Sequence, residues 1–123
     1  MRLICAHIYI ALTMALIIHP AGAADAGAKL YKKHCKVCHT LGKGEPARQG
    51  PNLWGVVGRP AGKVDGFKYS KALKAADIVW TPEQLDAWLT DPKALIPGSV
   101  MIYKQKDPEI RKKIIEHVAA AQD

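Results

Sequence analysis

Cys35-Lys36-Val37-Cys38-His39 sets two thiols three residues apart, with an imidazole on the very next residue. Positions three apart on a helix stand on one face a turn apart, so both thiols can reach the two vinyl groups of a single porphyrin. This is the C-x-x-C-H attachment pattern of c-type haem, and it carries His39 under the ring as an axial ligand to iron. Three other uses of the pair fit less well. A thioredoxin-like dithiol belongs between a strand and a helix, and nothing before Cys35 reads as a strand. A structural zinc wants a second Cys/His pair at short spacing, and after residue 23 the chain offers only His34 and His117 besides His39. A local disulfide would leave His39 without a role.

Upstream of the motif the chain changes character. Met1-Arg2 is a short positive start, Leu3 to Ile18 is almost wholly apolar, and Ala21-Gly22-Ala23 follows the break at Pro20. That is the layout of a cleavable export signal, and the apolar run is shorter than the ~20 residues a membrane span needs. Residues 1–23 are therefore expected to be a signal peptide cut after Ala23, with residues 24–123 as one domain in a periplasm. Retention of the segment as a membrane anchor is the rival reading, and it leaves the small residues unexplained. Cys5 leaves with the signal, so two of the three cysteines, Cys35 and Cys38, remain in an oxidising compartment. Only Arg2 among the charged residues leaves too, which turns the net charge of +7 for 123 residues into +6. A domain this small buries a thin core, and a large apolar cofactor at its centre would help hold it together.

Downstream, Met1 and Met14 go with the signal, so Met101 is the one methionine left. It sits in Ile96-Pro97-Gly98-Ser99-Val100-Met101-Ile102, a Pro-Gly turn feeding an apolar loop. Its thioether is a soft ligand that favours ferrous iron, so a His39/Met101 pair raises the potential and closes the sixth position. A methionine that only plugs a core gap is the plain alternative. His34, beside Cys35, and His117, on an amphipathic helix, are weaker ligand candidates.

The rest reads as helices and long loops. Asp25 can cap a helix from Ala26 to about Cys38, with Gly27, Leu30, Tyr31 and Cys35 on one face. Thr40 to Gly66 is rich in Gly and Pro without a period. A loop that long is odd in a small domain unless it wraps something. Short helical pieces are expected near Ser70–Ala76. Thr81-Pro82-Glu83-Gln84 starts another helix, with Gln84 reaching back as a capping box, and Asp91-Pro92 ends it. A last helix opens at Asp107-Pro108 and carries Ile110, Ile114, Ile115 and Val118. The expected class is all-α, a small fold of several helices and long loops wrapped around one covalently attached haem.

With these residues in place, the chain resembles the class I cytochrome c family, on the branch of mitochondrial cytochrome c and bacterial cytochromes c2. The match needs no gap from Gly27 through Met101. It rests on Gly27, Tyr31, Cys35–His39, Gly50-Pro51-Asn52-Leu53, Gly58-Arg59, Gly66-Phe67-Lys68-Tyr69-Ser70, Trp80 and Pro97–Met101. The resemblance implies that the Pro51 carbonyl accepts from the His39 ring and that Tyr69 and Trp80 donate to a haem propionate, with Arg59 near it. It implies Gly27 at a close crossing of the first and last helices, and Ser99 in a place often held by threonine near the propionates. Trp88 stands where a tyrosine often meets the methionine sulfur; plain core filling is the first reading for it. Leu73, Leu95, Val100 and His117 also depart from the family pattern.

The implied function is a soluble single-haem carrier of single electrons, not an enzyme. Its cofactor would be haem c on Cys35 and Cys38, ligated by His39 and Met101. A dedicated electron-accepting subunit of a periplasmic dehydrogenase is the alternative. Lys29, Lys33 and Lys36 on one flank, and Lys93, Lys104 and Lys106 around the methionine loop, suggest docking to acidic patches. Such patches would belong to a bc1-type complex, a terminal oxidase or a photosynthetic reaction centre. A monomer is expected, and nucleic acid is not a suitable partner for an exported protein.

Overall fold

The computed structural model describes residues 21–123. Most of the expected signal segment, residues 1–20, lies outside the described residues. Five helices run in the order α1 (Ala21–His34), α2 (Lys71–Ala75), α3 (Pro82–Thr90), α4 (Pro92–Leu95) and α5 (Pro108–Ala119). The described residues contain no strand; a single isolated bridge pairs Pro60 with Val79. No described helix is long and apolar enough to cross a membrane.

α1 starts earlier than Asp25 and stops earlier than Cys38. Ala21, Ala23, Ala24 and Ala26 favour helix strongly, so Asp25 lies inside it and pairs with Lys29 at 2.6 Å, one turn on. At the other end the regular ladder loosens. Lys36 N and Cys35 N both bond to Tyr31 O, and Cys38 N and His39 N both bond to Cys35 O. The attachment motif thus lies on turns that prolong the helix rather than on the helix itself.

The caps follow local chemistry. Ser70 Oγ accepts from Leu73 N to open α2, and the Asp107 carboxylate accepts from Glu109 N and Ile110 N to open α5. Thr81 Oγ1 accepts from Gln84 N at the start of α3. The return half of that capping box is not made. The Thr81 amide is already given to Val79 O, and Gln84 Oε1 is left buried without a partner. Asp91 closes α3 by donating its amide to Ala87 O, and it opens α4 through its carboxylate.

α1 crosses α5, and α3 packs on α5 beside it. At the crossing, a Cβ on Gly27 would sit 2.8 Å from Lys113 O and 3.0 Å from His117 Cβ, so the two backbones approach as only glycine permits. Tyr31, Leu85, Trp88, Leu89, Ile114, Ile115 and Val118 bury their side chains between these helices. Arg111 is tied to Asp86 through Nε at 2.7 Å and fastens α5 to α3. The irregular segment 40–66 folds over the remaining open side of this helical frame.

Candidate functional site

The helices and the long loop enclose a cavity of about 550 Å³, within the range of small-ligand sites. Its walls are mainly apolar: Leu53, Val56, Leu73, Leu85, Leu89 and Ile114 are among them. Cys35, Cys38 and His39 enter from the turns after α1, and Met101 enters from the loop between α4 and α5. Pro51, Arg59, Tyr69 and Trp80 line the same space. All eight residues singled out from the sequence are therefore brought together.

The His39 ring is fixed from both sides. Its Nδ1 donates to Pro51 O at 2.8 Å, since a carbonyl can only accept, and Nε2 keeps its lone pair. Burial lowers the pKa of the imidazole, and the bond to Pro51 opposes this in part. Gly50 packs directly against the ring: a Cβ there would lie 2.6 Å from Nδ1 and 2.8 Å from Nε2. The Tyr31 hydroxyl donates to His39 O at 3.2 Å, and burial pushes that phenol up to about 12. The result is a neutral imidazole in one orientation, with one basic nitrogen to offer.

The Cys35 thiol is not an activated one. Burial first, and then the neighbouring Cys38, push the Cys35 thiol up to about 12, whereas reactive dithiols depend on lowered values. Zinc finds no support either, since no group of three His, Cys, Asp or Glu side chains that could hold a metal gathers among the described residues.

On the Met101 side, Trp88 Nε1 donates to Met101 Sδ at 3.1 Å. Trp88 is buried and tilts against Trp80, with ring centroids 5.3 Å apart. Core filling is the first reading of Trp88 from the sequence, and the family resemblance puts it where a tyrosine often meets the methionine sulfur; the indole makes that contact, across thirteen residues. The arginine is fully occupied on one edge: Arg59 Nη1 donates to Trp54 O and Nη2 to Asn52 O, both at 3.1 Å. Tyr69 accepts from Val64 N and keeps its own proton to give, and burial raises its pKa. Ser99 Oγ is buried at the cavity wall without a partner, an orphan that a polar group on a bound molecule would satisfy. Two thiols, an oriented imidazole, a thioether and an apolar chamber with a few polar groups at its wall form a donor set that fits haem c.

The family sequence model described as Cytochrome c matches residues 24–122. The chain belongs to the cytochrome c family. It is 41% identical over 103 residues to the cytochrome c of Guizotia abyssinica, covering 83% of this chain and 93% of that one. It is 47% identical over 90 residues to the cytochrome c of Stellaria longipes, covering 70% and 83%. Among solved structures, cytochrome cH from Methylobacterium extorquens superposes with a TM-score of 0.72 at 38% identity, over 79% of this chain and 97% of that one. Cytochromes c carry single electrons and are not enzymes, and their cofactor is haem c held through a cysteine pair with His/Met ligation.

Proposed function

We propose that this cytochrome c is a diffusible carrier that moves single electrons between membrane redox complexes from a bacterial periplasm. The observation that carries the reading is the convergence on one apolar cavity of His39, oriented by Pro51 O, and Met101, whose sulfur accepts from Trp88. Cys35 and Cys38 would attach the haem, His39 Nε2 and Met101 Sδ would ligate its iron, and Arg59, Tyr69, Trp80 and Ser99 would stand at its propionates. When bound, haem c supplies a one-electron ferric/ferrous couple. The chain's own task is to hold that couple still. Pro51 fixes the imidazole and increases its basicity, the apolar walls exclude water, and the two ligands leave no position for oxygen or peroxide. The first test is the absorption spectrum of the purified ferric protein. A low-spin form with the weak sulfur-to-iron band is expected, and a high-spin form would defeat the assignment of Met101.

Trp88 supplies a sharper test. An N–H donated to the second lone pair of the sulfur draws density away from iron and disfavours the ferric state. Trp88→Phe removes that donor and keeps an aromatic ring in place. The potential should fall by roughly 40 mV, the one-electron equivalent of a hydrogen bond worth about 1 kcal/mol. Protein-film voltammetry reads it; an unchanged potential would reduce Trp88 to core filling.

The proposed docking surface is narrower than the lysine count suggests. Lys29 is paired with Asp25 and Lys104 with Asp91, while Lys33, Lys36, Lys93 and Lys106 take part in none of the ion pairs among the described residues. Reversing Lys93 and Lys106 to Glu should slow electron transfer to an acidic partner at low ionic strength, with the effect disappearing at high salt. Export is proposed from residues 1–23, and an isolated protein beginning at Ala24 would support it.

A further inference from the structure

Met101 is held at its sulfur by the Trp88 indole, at 3.1 Å, and not by its two neighbours in the chain. Val100 and Ile102 lie outside the packed core and line the cavity. Regular structure also holds the feet of the loop. Gln105 N donates to Leu89 O at 2.8 Å, and Arg111 Nη1 donates to Gln105 O and Lys106 O, each at 3.0 Å. Inside those feet the Tyr103 ring packs 5.8 Å from that of His34, and one ion pair among the described residues spans the loop: Lys104 Nζ lies 2.7 Å from Asp91 Oδ2. The other oxygen of Asp91 accepts from Lys93 N and Ala94 N, so the carboxylate is anchored to α4 while it holds Lys104. The pair joins the last residue before the loop's leading helix to a residue three past Met101.

We infer that Asp91 and Lys104 act as a salt-sensitive latch, positioning residues that close the methionine loop and so set how firmly Met101 stays on the iron. The inference rests on Met101 being the sixth ligand. Neither residue lines the cavity, so the pair acts through the geometry of the loop alone. The hydrogen bond from Lys104 holds the Asp91 carboxyl below its ordinary range, which keeps the pair charged throughout neutral pH.

The test is competition by added imidazole for the sixth position of the ferric holoprotein, followed by loss of the sulfur-to-iron band. Lys104→Gln and Asp91→Asn each remove the ion pair, and asparagine still caps α4. Each should raise the apparent affinity for imidazole by about threefold at low salt, the scale of an exposed ion pair. The double variant should go no further than either single one. Wild-type affinity should climb toward theirs as salt is added, while theirs stays flat. Three flat and equal titrations, or additive effects of the two substitutions, overturn the latch. A fall in global melting temperature large enough to account for the affinity change also overturns it, because the pair would then be a general stabiliser. A wild-type protein with no sulfur-to-iron band overturns Met101 ligation itself, and the latch with it.

Discussion

Replacing Met101 with Leu should remove the sulfur-to-iron band, open the sixth position to carbon monoxide and lower the reduction potential. The drop should be on the order of 100 mV, a modest part of the roughly 0.8 V over which axial ligands move haem potentials. Leucine keeps most of the apolar volume, so the loop should still close over the cavity. The attachment residues are untouched, and the haem should stay covalently bound. The Trp88 indole would lose its acceptor in the same step, so part of the fall repeats what Trp88→Phe produces alone. The two substitutions should therefore be non-additive in potential. Voltammetry and carbon monoxide binding check the result together. Persistence of the band in Met101→Leu would show that some other group holds the iron.

Gly50→Ala should produce the largest loss of stability of any single methyl group added near the site. The Gly50 backbone is pinned, since its amide donates to Cys38 O at 2.7 Å and its carbonyl accepts from Arg48 N at 3.1 Å. The added Cβ would overlap the His39 ring, which is held in turn by Pro51 O. The ring must give way, so the penalty combines overpacking with the loss of that hydrogen bond. Together these come to about 3 kcal/mol. In a domain near one hundred residues, that lowers the melting temperature by roughly 15 °C. The ferric spectrum should also move toward a high-spin form as the imidazole tilts. A melting point within a few degrees of wild type would mean that the wall around His39 is softer than the packing indicates.

Where chemistry is local, the sequence was a good guide. Thr81-Pro82 and Asp107-Pro108 announce helix starts through side chains that reach only two or three residues, and both helices begin there. Cys35, Cys38 and His39 stand out by motif and Met101 by elimination, whereas Pro51, Arg59, Tyr69 and Trp80 are reached only through the family resemblance; all eight line one cavity. What stayed hidden depends on competition or distance. Asp25 was a plausible cap until the alanines before it extended α1 and turned it into a partner for Lys29. The reciprocal bond of Gln84 failed because Val79 O had already taken the amide it needed. α4 has four residues and no periodicity to read. Lys104 and Asp91 are thirteen residues apart, and only the folded loop makes them neighbours.

The crossing at Gly27 has a topological consequence. It joins residue 27 to residues 113 and 117, so the described chain is in effect a ring closed where α1 meets α5, with Tyr31 against His117 and Gly55 N on Ala121 O beside the crossing. Bringing together segments about 86 residues apart carries an entropic cost of about 4 kcal/mol beyond a constant. Because that cost depends only on the logarithm of ring size, lengthening the exposed stretch at 43–49 adds almost nothing to it. A bulky side chain at residue 27 would instead push α1 and α5 apart at their closest approach. Loop length thus weighs little on closure, while one missing side chain sets how closely the two helices can meet.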